Sequence, residues 1–185
     1  MAILLRNDAP KDGHDTIARA ISDISDTPPN DELVGGGSLN LSEPMPVYLL
    51  GLSDIRTDPD PLAKAKLVAW RYILERPDAD LVAYADVKER EAKTEFVSVS
   101  SSDIAMSLLE AAHIAQKVAE KLQGDVEIRV IEIPAVKLSA VWLADGSDVF
   151  IPYIDGVQNL KLKLKTIKRD RLLAELTDRA KYVDQ

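Results

Sequence analysis

The chain has 185 residues, 46% of them hydrophobic and 29% charged, with a formal net charge of −8. That apolar share is enough to bury a core and excludes wholesale disorder. The acidic balance speaks against a general nucleic-acid binder, whose phosphate contacts need a basic face.

With no cysteine, disulfides, thiolate metal sites and Cys nucleophiles are excluded, which suits a reducing compartment. The opening Met1-Ala2-Ile3-Leu4-Leu5-Arg6 has neither the basic start nor the longer apolar core of a signal peptide. No window reaches the apolar length of a membrane span. A cytoplasmic chain without membrane or nucleic-acid partners is the expectation. Charge is uneven. Residues 1–60 hold 4 Lys/Arg against 11 Asp/Glu, whereas residues 157–185 hold 8 against 4.

Residues 1–45 are interrupted by Pro10, Gly13, Pro28, Pro29, Gly35-Gly36-Gly37 and Pro44, and read as an acidic arm. Within it, Asp15 to Ser25 forms a short amphipathic helix with Ile17, Ala20, Ile21 and Ile24 on one stripe. A helix that short is marginal alone, so it is expected to dock, on its own chain or on a partner.

Residues 46–185 read as a single α+β domain. Val47–Leu52 is an apolar run typical of a buried strand, followed by a polar loop from Ser53 to Asp60. Asp60 and Pro61 open an expected helix with Leu62, Ala65, Ala69, Trp70, Ile73 and Leu74 on its buried face. Leu81–Val87 and Glu95–Ser100 are strands joined by the charged turn Lys88–Lys93. A long helix, capped by Ser101 or Ser102 and stopped at Gly124, turns Ile104, Leu108, Ala111, Ala115, Val118, Ala119 and Leu122 inward.

A strand over Val126–Ile133 comes next. Ala140–Leu143 and Val149–Tyr153 then make a hairpin about Asp145-Gly146. Leu160–Lys165 alternates strictly and reads as a half-buried strand, and a helix from Asp170 to Tyr182 closes the chain. The order from 46 to 133 is β-α-β-β-α-β, a ferredoxin-like core extended by the hairpin and a further strand.

Chemistry is thinly signalled. Asp54, in the loop leaving the first strand, and Asp86, on the second, are candidate ligands for Mg²⁺ or another divalent cation. With Lys88 beside them they would suit an enzyme acting on phosphate esters or nucleotides. Asp78 with Asp86 and Lys88 loosely echoes a nuclease. Turn and cap roles explain these carboxylates at least as simply. His14 and His113 are the only histidines, so a conventional His-based triad has little to build on. Ser98–Ser102 offers hydroxyls without an evident base. A small-molecule binder with an apolar pocket lined by Trp70 or Trp142 is a third reading, although both tryptophans fit equally well as core.

The outer face of the long helix says more. Met106, Leu109 and His113 lie off its core stripe, and a helix facing plain water would usually be polar there. Together with Ile17, Ile21 and Ile24 they are the candidate partner-binding residues. The run Lys161, Lys163, Lys165, Lys168, Arg169 and Arg171 lacks interleaved aromatics for base stacking and reads as a solvated face. The expectation is a non-catalytic binding or assembly module that self-associates or holds a protein partner.

Overall fold

The computed structural model describes residues 3–4, 6, 8–25, 39–77, 80–101, 103–122, 125–156 and 161–183. The chain is mixed α+β and divides into two compact units. Unit 1 comprises Met1–Leu5, Pro46–Val68 and Ser107–Gln185; unit 2 comprises Arg6–Met45 and Ala69–Met106. Among the described residues no helix is long and apolar enough to cross a membrane.

Unit 2 is built on strands β4 (Lys66–Arg76, in this unit from Ala69), β5 (Leu81–Arg90) and β6 (Lys93–Ser101), antiparallel in that order. The two-residue β2 (Asn40–Leu41) pairs with β4. The β5–β6 turn is Glu91-Ala92, both at positive φ, the left-handed pair a tight hairpin demands.

Residues 66–76 are therefore a strand, where the sequence suggests a helix. Trp70, Arg71, Tyr72, Ile73 and Leu74 are all buried, so both faces of β4 are covered and its period of two is masked. Aromatic and β-branched side chains favour the pleated form. Only Pro61–Lys64 winds, as a 3₁₀ turn. The expected βαββαβ order becomes strand, short helix, three consecutive strands, long helix, strand.

Helix α1 (Gly13–Ser25) lies in unit 2. Ile17 and Ile21 are buried with Trp70, Tyr72, Leu74, Ala83, Ala85 and Val87, so this helix docks on its own chain. Burying a side chain the size of Ile17 contributes roughly 1.5–3 kcal/mol, enough to hold a helix that is marginal alone. The approach is close. A Cβ on Gly13 would fall 2.1 Å from the Tyr72 hydroxyl, so only glycine fits there.

Burial, with the charges of Glu43 and Asp12 nearby, pushes the Tyr72 phenol from 10.0 up to about 12. A raised folded-state value favours the neutral form. Its contribution to stability is complete below pH 10 and disappears as pH rises through about 12. Thermal melts across that window should show a steeper loss in the wild type than in Tyr72→Phe, which lacks the titrating group.

In unit 1 the strand order is β10-β9-β8-β7-β3, with β3 (Met45–Leu49) parallel to β7 (Val126–Ile133). Strands β8 (Leu138–Ala144) and β9 (Val149–Asp155) make the expected hairpin. The short β1 (Ile3–Leu4) runs parallel to the start of β7, and β10 (Ile167–Lys168) closes on β9. Ile131, Ile133, Leu138, Ala140, Trp142 and Phe150 bury one sheet face with Ile55, Leu62, Leu172, Leu176 and Ala180. Those five come from α2 (Leu52–Thr57), the 3₁₀ turn and α4 (Arg169–Ala180). Residues 53–57, expected as loop, thus form most of a helix.

The Leu/Lys alternation over 161–165 does not make a strand; this segment forms turns. The Leu162 N–H is held by Asp155 Oδ2, the Leu164 N–H by the Pro152 carbonyl, and Leu164 has φ +59°. Side-chain and carbonyl acceptors here replace a strand ladder.

The long helix α3 (Asp103–Ala119) buries Ala105, Leu108, Ala111, Ala115 and Ala119. Its inward stripe runs through Ala105, leaving Ile104 exposed. Ser102 and Gly124, the expected cap and stop, lie outside the described residues.

Candidate functional site

Among the described residues, four charged clusters stand out. In unit 2, Arg71 donates from Nε and Nη2 to the two oxygens of Asp86, at 2.8 and 2.7 Å. The side chains are 4% and 12% exposed, and the guanidinium carbon sits 4.2 Å from the centre of the Tyr84 ring. Register places Ser98 opposite Asp86 and Ser100 opposite Tyr84. Both Asp86 oxygens already accept from Arg71, which leaves Ser98 no ready base.

In unit 1, Arg129 lies 5.0 Å from the Tyr48 ring and 4.7 Å from the Trp142 ring, with its Nη2 2.7 Å from Glu127. The Trp142 indole donates to Asp148 Oδ1 at 2.8 Å. Asp148 Oδ2 in turn accepts from Arg169 Nη1 at 3.2 Å, and Arg169 Nη2 donates to Asp60. Asp60 is thus an Arg169 partner and gives the 3₁₀ turn no side-chain cap.

The third cluster is centred on α4. Arg179 donates from Nε to Glu175 at 2.9 Å, and its Nη1 lies 2.8 Å from Asp155 Oδ1. Burial works against the charged guanidinium, but Asp155 and Glu175 outweigh it and hold its pKa above the ordinary value. Since Asp155 also fixes the Leu162 N–H, this cluster ties α4 to β9 and to the turns after it.

The fourth is the Asp145-Gly146-Ser147-Asp148 turn. Asp145 Oδ1 accepts from the Ser147 amide, the Ser147 hydroxyl and the Asp148 amide, and Gly146 takes φ +89°. Burial raises the Asp145 pKa, but those donors prevail and hold it below the usual carboxylate range.

The candidate metal ligands fall in different units, Asp54 in unit 1 and Asp86 in unit 2. Asp54 is half-buried in the first turn of α2, its backbone carbonyl accepting the Asp58 N–H at 3.0 Å. Lys88 pairs with Glu95 at 3.7 Å, and Asp78 lies outside the described residues. Among the described residues no three His, Asp or Glu side chains gather to hold a metal ion. A groove of about 220 Å³ lies in unit 1 against Ile55, Arg56, Thr177, Ala180 and Lys181, and Arg56 there donates to the Ala180 carbonyl.

Of the candidate partner-binding residues, Ile17 and Ile21 are buried in their own unit and Ile24 is half-buried. Met106 is 51% exposed, His113 is exposed and Leu109 is half-buried. His14 contacts the Ser42 carbonyl at 3.2 Å and the edge of the Tyr72 ring. Sequence reasoning missed Arg71, Arg129 and Arg179. The available signal was Asp86 itself, a carboxylate inside an apolar strand that needs a cation if both faces are covered.

Comparison with protein-family models, with curated proteins and with solved structures found no match.

Proposed function

We propose that the chain is a non-catalytic assembly module that associates with itself. One observation carries this reading: three large apolar side chains stand exposed within ten residues of unit 2. Val97 is 48% exposed, Ile104 39% and Met106 51%. Isolated exposed apolar residues are ordinary, but three within so short a stretch of β6 and the start of α3 support an interaction surface there. The pairing of the buried ionisable groups supports the same reading. Arg71, Asp86, Asp148, Asp155 and Arg179 all face an opposite charge, the arrangement of structural ion pairs rather than of a poised acid, base or nucleophile. The cysteine-free sequence suits a reducing compartment, and the cytoplasm is the proposed location.

Light scattering on the full chain from micromolar to near-millimolar concentration tests the reading. The expected mass rises from the monomer's 20.3 kDa toward twice that value. A mass that stays at the monomer value throughout contradicts self-association.

A further inference from the structure

The segment from Lys161 to Arg171, in unit 1, carries six cations and one carboxylate, Asp170, in a chain of net charge −8. In a half-buried strand those lysines would be the solvated face, or charges that guard an open edge. The structure removes both explanations. Residues 161–164 form bends and turns, and the segment is fastened to β9 by its backbone. The Leu162 N–H goes to Asp155, the Leu164 N–H to the Pro152 carbonyl and the Arg169 N–H to the Asp148 carbonyl. Ile167 and Lys168 pair with Phe150 and Val149. Leu162, Ile167 and Leu172 are buried, so the backbone is anchored from within.

What remains is a fixed ridge that displays positive charge. Lys161, Lys165, Lys168 and Arg171 are exposed and Lys163 is half-buried. Among the described residues none of these five side chains makes an ion pair, while the sixth cation, Arg169, is taken by Asp148 and Asp60. Like charges gathered on one short segment repel each other, and a bound anion relieves that repulsion.

We propose that this ridge holds an acidic peptide segment of a protein partner. The proposal does not rest on self-association, which is carried by residues of unit 2. Side-chain chemistry chooses among anions. Four of the five cations are lysines, compact point charges that suit single carboxylates and lack the planar fork with which arginine grips phosphate. No aromatic residue lies between Lys161 and Arg171 for bases to stack on. Leu162 and Ile167 are buried and Leu164 is half-buried, which leaves no exposed apolar side chain in the ridge to enter a bilayer.

Size points the same way. Charges are screened over about 8 Å at physiological ionic strength, so a short acidic peptide feels the ridge alone. A duplex or a bilayer extends past it, toward a chain whose remaining residues hold 17 Lys/Arg against 30 Asp/Glu.

The test is fluorescence anisotropy of labelled octaglutamate and octaglutamine titrated with the full chain at physiological salt. Three forms are compared: wild type, the triple variant Lys161→Gln, Lys165→Gln, Lys168→Gln, and a control with Lys11→Gln, Lys117→Gln, Lys121→Gln. The control removes the same charge from exposed lysines elsewhere. Circular dichroism confirms that each remains folded. Wild type should bind octaglutamate and not octaglutamine. The ridge variant should raise the dissociation constant by about tenfold or more, and the control should leave it nearly unchanged. Absence of octaglutamate binding by the wild type, or equal weakening in both triple variants, overturns the proposal. So does tighter binding of duplex RNA or of phosphatidylserine vesicles through the same three lysines, which would assign the ridge to phosphates.

Discussion

Replacing Arg71 with Met is expected to cost about 3–5 kcal/mol of stability, because Asp86 would stay buried as a charge without its cation. The pair is made within one sheet, on facing residues of β4 and β5, and both side chains are largely buried there. A domain holds only about 5–15 kcal/mol in all, so the loss is a large part of it. At roughly 2–4 °C per kcal/mol for a chain of this size, the melting temperature should fall by about 10 °C. The double variant Arg71→Met, Asp86→Leu separates a charge effect from a packing effect. Replacing a whole buried pair with apolar groups is often neutral, so the double variant should regain most of the loss. A double variant as unstable as the single one would mean that Tyr84 and its neighbours need the guanidinium itself.

The second large effect is expected at Arg179. Its side chain is 8% exposed and that of Asp155 1%, and Arg179→Met leaves Asp155 with the Leu162 N–H as its remaining hydrogen bond partner beyond its other local contacts. A loss of about 3–5 kcal/mol follows from the same argument. Here it should have a local signature. The Leu162 amide in the turns at 161–164 is held by Asp155, so the amides of these turns should exchange with solvent before those of β7 and β8. Uniform loss of protection across unit 1 would contradict the view that this cluster fastens one segment.

Much of unit 1 was legible in the sequence, and the reasons are local. Strands β7, β8 and β9 are well-bounded apolar runs, and Asp145-Gly146 is a turn signal whose hydrogen bonds the structure supplies. The C-terminal helix shows its stripe at Leu172, Leu176 and Ala180. The arm helix was equally plain, because Ile17 and Ile21 sit one turn apart.

What was hidden depends on tertiary context. The run from Ala69 to Leu74 fits a helical face and a doubly buried strand alike, and only pairing with β5 decides between them. The Leu/Lys alternation at 161–165 imitates a strand, but its N–H groups go to Asp155 and Pro152. Long-range charge pairs such as Arg169 with Asp60, or Arg179 with Asp155, have no signature in sequence spacing, since the partners meet only after folding. The candidate site residues fared accordingly. Asp86 drew notice as a candidate metal ligand, and its structural partner, Arg71, was concealed inside the misread segment.

The most direct measurement is hydrogen–deuterium exchange of the full chain at a dilute and a concentrated condition. Self-association through the surface that holds Val97, Ile104 and Met106 should slow exchange at the amides of β6 and of the first turn of α3 as concentration rises, while β8 and β9 remain unchanged. Exchange in β6 that is the same at both concentrations, under conditions where the mass has doubled, would contradict the account.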